Sequence, residues 1–146
     1  MALTHVQVLD NVATIVEAGT SLSESAELLN PRWAPDAALN RAFTVTPSAI
    51  ANTGQYRDQP GGSGIERVRY DLDLICVWAQ DVHNYSTTRD VALGDSLAAI
   101  QALESDTSAS SQQWAIYHQS SSYTAHESRE WLFGTIRFSL ETDLEL

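Results

Sequence analysis

The chain has 146 residues, of which 43% are hydrophobic, and contains four Trp, five Tyr and three Phe. This composition is typical of a single globular domain, here 1–146, that buries a core without disulfides, and it excludes a disordered chain. Nineteen acidic residues oppose eight basic ones, so the net charge is −11, and every basic residue is Arg. Such a surface repels phosphate backbones, which argues against nucleic-acid binding.

The absence of Lys has two explanations between which the sequence does not decide. One is GC-rich coding, and the other is a high-salt environment in which screening reduces repulsion among the acids. The single Cys76 excludes an internal disulfide framework and a zinc site made of several Cys. We expect no signal peptide, because MALTHVQVLDN has no basic region followed by an apolar one. We also expect no membrane contact, because no apolar run approaches the ~20 residues that span a bilayer.

The first helix is predicted over Thr4–Ala18. Thr4 and Gln7 have the spacing of a capping box, and Gly19 is placed to end the helix. The following segment, Thr20–Asn40, is irregular. It is either a surface arm for a partner or an ordinary connection that covers a sheet edge.

A short strand, Ala42–Thr46, is predicted to end at Pro47, and a long loop is predicted at about 48–64. The Gly-rich stretch PGGSG in that loop does not indicate a phosphate site. It precedes a strand, whereas a phosphate loop follows one, and the chain has no Lys. A loop that orders against a neighbouring subunit is the favoured interpretation.

The stretch Ile65–Trp78 is predicted to be a long strand around which the other elements are organised. Apolar side chains occupy every second position and define one face: Val68, Tyr70, Leu72, Leu74, Cys76 and Trp78. Four charged residues define the other face: Arg67, Arg69, Asp71 and Asp73. Because Ile75 and Val77 make both faces apolar near the end, we expect a central strand that is covered on both sides there.

The second helix is predicted over Ser86–Glu104. Its predicted apolar side contains Leu93, Leu97, Ile100 and Leu103 or Glu104, and Ala98 and Ala99 are expected to allow close approach to the sheet. A strand is predicted at Gln113–Gln119. A polar turn at Ser120–Ser122 and an uncertain short strand at Tyr123–Glu127 follow it.

The last strand is predicted over Glu130–Thr142, with Gly134 as a bulge or a site of close backbone approach. The order of these elements predicts an α+β fold. We expect a single layer of mostly antiparallel sheet, four to five strands wide, with two main helices packed on one face.

The histidines do not predict a metal site. His118 and His126 flank the Ser-rich turn, and Asp81 lies near His83, yet none of them has the spacing typical of metal ligands. Cys76 lies in the apolar register of its strand, where burial raises the pKa of a thiol and a catalytic role is disfavoured.

The charged residues of the long strand favour salt bridges over acid–base chemistry. Asp71 and Asp73 lie two apart on one face, but Arg67 and Arg69 extend that face, so cross-strand or inter-subunit ion pairs are the better explanation. We therefore predict no catalytic residues, no cofactor and no metal, and interpret the protein as structural. A solvated charged face remains an equally open interpretation.

Four segments, with their order, resemble the tail terminator (tail completion) proteins of long-tailed bacteriophages, in particular those of the lambda type. They are the helix THVQVLDNVATIV, the strand ERVRYDLDLICVW, the helix TTRDVALGDSLAAIQAL and the closing strand EWLFGTIRFSLETDLEL. The resemblance spans nearly the whole chain and rests on pattern and order, without a diagnostic motif. Leu22–Arg41 and Pro60–Gly64 depart from the family's pattern.

The resemblance implies a structural virion protein that is assembled in the host cytoplasm and located in the tail or neck. Six copies would form a ring on the last ring of the tail tube, stop its growth and offer a docking face to the head connector or stopper. DNA would pass through the lumen without specific binding. The subunit-interface candidates are Arg67, Arg69, Asp71, Asp73, Tyr56 and Arg57.

Three alternatives remain open at this stage. The chain could be a tail tube subunit or a head-side stopper of a tailed virus. In another class, it could be a small α+β ligand-binding protein with an apolar pocket lined by Tyr70, Trp78 and Trp114.

Overall fold

A computed structural model describes residues 4–25, 40–56, 65–80, 83–105, 114–125 and 130–145. In chain order the elements are α1 (His5–Gly19), β1 (Ser23–Glu24), β2 (Ala42–Tyr56), β3 (Ile65–Ala79), α2 (Tyr85–Ser105), β4 (Trp114–Ala125) and β5 (Trp131–Glu145). Asp81, His126 and most of the segment between β1 and β2 lie outside the described residues.

The strands form one sheet in the order β1-β2-β3-β5-β4. The β2–β3, β3–β5 and β4–β5 pairs are antiparallel, and only the short β1 runs parallel to its neighbour β2. Both helices pack on one face of the sheet, α1 nearest β2 and α2 nearest β4. The predicted α+β fold, with a mostly antiparallel layer and two main helices on one face, is confirmed.

The predicted long strand is the central strand β3. It pairs with β5 without interruption from Ile65 opposite Glu145 to Ala79 opposite Trp131. The apolar face of β3 lies under the helices and shares one core cluster with residues of α1, α2 and β5. On the opposite face Val77 is fully buried in a second cluster with Ala42 and Trp131. Cover on both faces near the end of the strand is therefore confirmed.

The first helix begins as predicted. The Thr4 hydroxyl accepts a hydrogen bond from the backbone N–H of Gln7, and the Gln7 side chain accepts one from the backbone N–H of Thr4. Val8, Val12 and Val16 are completely buried, because their spacing places them on one side of the helix. Gly19 is the last helical residue, and it lies so close to α2 that a Cβ there would be 2.6 Å from the Cβ of Ala102.

The side of the second helix that faces the sheet matches the predicted one only in part, because Ala99 and Leu103 are buried as expected but two of the predicted Leu residues are not. Leu93 and Leu97 are half exposed, and the buried side carries mostly small or polar residues: Thr88, Ala92, Asp95, Ser96, Ala99 and Leu103. Small side chains let the helix approach the sheet closely, and Asp95 and Ser96 have hydrogen-bond partners there. The buried side of α2 is consequently displaced from Leu93 and Leu97.

Two predicted strand ends are wrong. β2 continues through Pro47, so residues 48–56 of the predicted loop are strand, while 57–64 lie outside the described residues. The register shifts between Pro47 and Ala49, and such an irregularity accommodates a residue that lacks an N–H. β4 similarly continues through Ser120–Ser122, with a register shift between His118 and Ser120.

Gly134 is a site of close approach between the β5 backbone and the core. A Cβ at this position would lie 2.7 Å from Cζ3 of Trp78 and 3.2 Å from Cδ1 of Tyr123. Trp78 is only 1% exposed and its Nε1–H donates a hydrogen bond to Asp95, so its ring is held in place. The register across Gly134 is continuous on both sides, which decides between the two predicted roles in favour of close approach.

We expect Gly134→Ala to lower the free energy of unfolding by about 1–3 kcal/mol, because the added methyl group overpacks the core. Gly94→Ala is the matched control, since a Cβ there meets nothing within 4 Å on an exposed helical site. That change should raise the free energy of unfolding by up to about 1 kcal/mol. Urea unfolding of both variants measures the difference, and equal stabilities would contradict the close contact.

Candidate interface on the charged face of the sheet

The charged face of β3 lies on the side of the sheet away from the helices. Each Arg and Asp there stands opposite a residue of β5: Arg67 opposite Asp143, Arg69 opposite Glu141, Asp71 opposite Ser139, and Asp73 opposite Arg137. Three of these four pairs join opposite charges. The alternation of the two strands therefore places a ladder of complementary charges at the centre of the sheet.

Asp73 is bound most firmly within the chain. Its carboxylate accepts two hydrogen bonds from Arg137, at 2.8 Å from Nε and 3.1 Å from Nη2. These bonds are the main reason that the pKa of Arg137 is raised, and the carboxylate of Asp71 adds a smaller effect. Asp73 is only 8% exposed, so this geometry leaves little of its carboxylate for another subunit.

Arg67 also has partners within the chain. Its Nη1 lies 3.5 Å from Oδ1 of Asp143, and its Nη2 lies 3.8 Å from Oε2 of Glu141. These long, partly exposed contacts each contribute little to stability. For Arg67 and Asp73 the structure thus contains the cross-strand form of the predicted ion pairs.

Arg69 and Asp71 differ from their neighbours. Arg69 is exposed and Asp71 is partly exposed, and within the described residues neither side chain has an ion-pair partner. The other two candidates lie near the end of β2. Tyr56 is the last residue of β2, where only its backbone is described, and Arg57 lies outside the described residues.

An ion pair with a buried carboxylate, which the sequence did not predict, lies on the helix side of the sheet. Asp95 of α2 is 5% exposed and accepts hydrogen bonds from Nε and Nη2 of Arg41, at 3.0 and 2.5 Å. Trp78 of β3 donates a third, from Nε1 at 2.8 Å. The bonds to Asp95 raise the pKa of Arg41, while burial acts in the opposite direction. Three donors thus satisfy one buried carboxylate and tie α2 to the sheet.

The backbone at Arg41 is held in an unusual conformation. Its φ is 60°, in the left-handed region that residues other than Gly rarely adopt. Its N–H donates to the carbonyl of Val77 at 2.9 Å, and its side chain holds Asp95. These two attachments hold Arg41 at the start of β2, and no local sequence signal predicts them.

The thiol of Cys76 is enclosed in the core. Burial raises its pKa to about 12, and the Asp95 carboxylate adds a smaller effect in the same direction. The predicted rise is confirmed. Burial likewise raises the pKa of Tyr70 to about 12, and its hydroxyl lies 2.5 Å from Nδ1 of His5.

Neither of the two cavities lined by described residues brings together the three aromatic residues of the predicted ligand pocket. Trp78 borders a cavity of about 260 Å³ with Asn40, Arg41, Ala79, Thr87, Thr88 and Val91, without Tyr70 or Trp114. A second cavity, of about 320 Å³, lies between α2 and the β4–β5 end of the sheet. Its lining includes Tyr85, Arg89, Leu93, Tyr123 and Leu132.

The remaining candidates for metal binding do not form a cluster. His118 contacts the Ser121 hydroxyl at 2.8 Å and packs edge-on against Phe138. Within the described ranges, no group of three or more His, Cys, Asp and Glu side chains is arranged to hold a metal ion. In that same part of the chain, neither helix is long and apolar enough to cross a membrane.

No protein-family model matches this chain, and no curated protein is significantly similar to it.

We expect Asp95→Asn to lower the free energy of unfolding by about 2 kcal/mol, because the charge-assisted bonds from Arg41 and Trp78 are weakened in a buried site. Asp90→Asn on the same helix is the control. Asp90 pairs with Arg89 at the surface, where both side chains are about two-thirds exposed, so its loss should change stability by under about 0.5 kcal/mol. Urea unfolding followed by Trp fluorescence measures both. Equal effects would show that the buried pair is no stronger than the surface one.

Proposed function

We propose that this chain is a structural virion protein of the tail-terminator kind. Six copies form a ring on the last ring of the tail tube, stop its polymerisation and offer a docking face to the head connector or stopper. DNA passes through the ring without specific binding. The protein acts in the tail or neck of the virion, as an assembly component and not as an enzyme.

The pair Arg69 and Asp71 is the observation that carries the proposal. These two side chains stand next to each other on the central strand, while the flanking Arg67 and Asp73 are engaged with β5. A rigid strand holds them in place, so little conformational entropy is lost when a partner binds. Opposite charges two residues apart fit a protein partner that presents the complementary pair.

The architecture supports the same proposal. The helix, the strand, the long alternating strand, the second helix and the two last strands occur in the order that the family resemblance implies. Fold alone does not determine function, so the argument rests on the charged face and its test.

A second candidate function belongs to another class, a small ligand-binding protein. The cavity of about 320 Å³ beside α2 favours it, since apolar and aromatic side chains line it together with Arg89 and Gln80. A persistent monomer that binds a small apolar molecule in this cavity would support this candidate over the ring.

We expect Asp71→Arg to abolish capping of tail tubes while leaving the fold intact, because it places a second positive charge beside Arg69 at the contact with the tube. Purified protein is mixed with growing tail tubes, and electron microscopy records tube length and a terminal ring. Wild-type protein should give short tubes that end in one ring, and the variant long uncapped tubes.

Glu17→Arg is the matched control, since Glu17 is exposed on α1 and undergoes the same change of charge. It should cap tubes normally. Asp73 is unsuitable as a test site because its loss also breaks the contact with Arg137. Normal capping by Asp71→Arg would reject the role of this face, and many stacked rings would identify a tube subunit instead.

A further inference from the structure

The charges of the sheet are distributed unevenly among its long strands. Every Asp, Glu and Arg of the four long strands lies on β3 or β5, the two central ones. β2 and β4 contain none. The whole chain has a net charge of −11, so like charges oppose contact between copies at most surfaces. The uncharged strands β2 and β4, near the two edges of the sheet, are therefore places where copies can meet without bringing like charges together.

The outer edge of β4 is available for pairing. Among the strands that the structure describes, only β5 pairs with β4, so the opposite edge of this twelve-residue strand has no strand beside it. Natural edge strands are usually protected by charges, prolines or bulges. β4 has neither a charged residue nor a proline. The protection of β4 is the register shift between His118 and Ser120. At this point the backbone N–H of His118 donates a hydrogen bond to the Glu104 carboxylate at 2.9 Å.

An exposed apolar ridge on α2 runs beside that edge. Its members are Tyr85, Leu93 and Leu97, which are 51%, 50% and 55% exposed. The ridge lies on the β4 side of the helix, because Ser96 accepts a hydrogen bond from the Tyr123 hydroxyl and Glu104 bonds to β4. The cavity of about 320 Å³ opens between Leu93 and Tyr123. A strand added to β4 would thus find apolar surface for the side chains that it turns toward the helices.

β2, near the opposite edge of the sheet, supplies such a strand. Among the described strands, β1 covers β2 only at Ala42 and Phe43, so the outer edge of β2 beyond Phe43 has no neighbour there. Ile50 of β2 is 49% exposed and pairs with Tyr70, whose side chain is on the helix side of the sheet. β2 contains Pro47 and two register shifts, between Pro47 and Ala49 and between Asn52 and Tyr56. Between these shifts, Ala49–Asn52 therefore offers an uncharged edge and an exposed apolar side chain on the face where the ridge lies.

We propose that the β4 edge and the α2 ridge of one copy receive the outer edge of β2 of the next copy, with Ile50 against the ridge. The two surfaces differ, so the contact is head-to-tail and is repeated from copy to copy, as a closed ring requires. The inference rests on the proposed ring and names the surfaces that join its subunits. It leaves the charged face with Arg69 and Asp71 free for a different virion protein.

Cross-linking between two single-cysteine variants tests the order of the strands. Ala49→Cys on β2 and Ser122→Cys on β4 place thiols on the face of the sheet that is away from the helices. Within the chain, Ala49 pairs with Asp71 and Ser122 pairs with Thr135 on that face. The native Cys76 is buried and gives little background. A thiol-specific cross-linker of roughly 10 Å spans directly opposed residues and their diagonal neighbours. Ser120→Cys and Thr124→Cys, whose side chains lie on the same face of β4 as Ser122, extend the test to the neighbouring registers.

We expect a covalent dimer only when the two variants are mixed, either at high protein concentration or within assembled particles. A dimer from Ser122→Cys alone would show a two-fold β4–β4 contact and overturn the proposal, as would a mixture that yields none. The result is separate from the test of function. Cross-linked oligomers that fail to cap tubes would reject the terminator role alone, and capped tubes without the cross-link would reject only this contact.

Substitution of the ridge gives a second, independent test. Leu97→Glu should raise the dissociation constant between copies by about ten- to a hundredfold, the effect of losing one buried Leu from an interface. Gln101→Glu, one turn further along α2 and also exposed, is the control for the added charge. Because Leu97 is half exposed, the free energy of unfolding should not fall. Native mass spectrometry compares the variants, and equal dissociation constants would overturn the role of the ridge.

Discussion

The structure depends on the uninterrupted pairing of β3 with β5. Fifteen residues of each strand are in register, β2 and β4 pair with the two outer edges of this pair, and both helices share its core. A slip of one residue would turn the apolar row of β5 away from the helices. A slip of two would preserve the faces but would separate Asp73 from Arg137 and remove Gly134 from Trp78. The two hydrogen bonds between Arg137 and Asp73 and the missing side chain at Gly134 thus help to specify the register of the two strands.

The features that could be predicted from the sequence are those whose cause is local. The capping box of Thr4 and Gln7 needs only residues of one helical turn, and the alternation in β3 and β5 needs only neighbours along one strand. The close approach at Gly134 was also among the predictions, because Gly in a strand leaves a gap that another side chain fills. For these elements, local pattern and tertiary structure agree.

The missed features have causes that lie elsewhere in the chain. Pro47 and the serines at 120–122 carry turn signals, but pairing with β3 and β5 overrides them. Asp95 resembles a solvated helical residue until Arg41, 54 positions earlier, is placed beside it. The same limit applies to the candidate interface. Arg67 and Asp73 were correctly identified as salt-bridge residues, yet their partners on β5 lie outside any local pattern, so the sequence could not separate them from Arg69 and Asp71.

The distribution of charge connects the fold with assembly. The acidic surface keeps copies of this chain apart at most orientations, since like charges oppose close approach. The central strands can carry so many charges because the charges pair with each other across β3 and β5. The outer long strands β2 and β4 contain no charged residue, which leaves backbone hydrogen bonds, Ile50 and the exposed Leu and Tyr side chains of α2 as the means of contact there. Because the charged residues lie on the central strands β3 and β5 and the outer strands β2 and β4 are uncharged, copies of the chain associate most readily edge to edge, in the plane of the sheet. The charged face stays exposed to a partner above or below that plane.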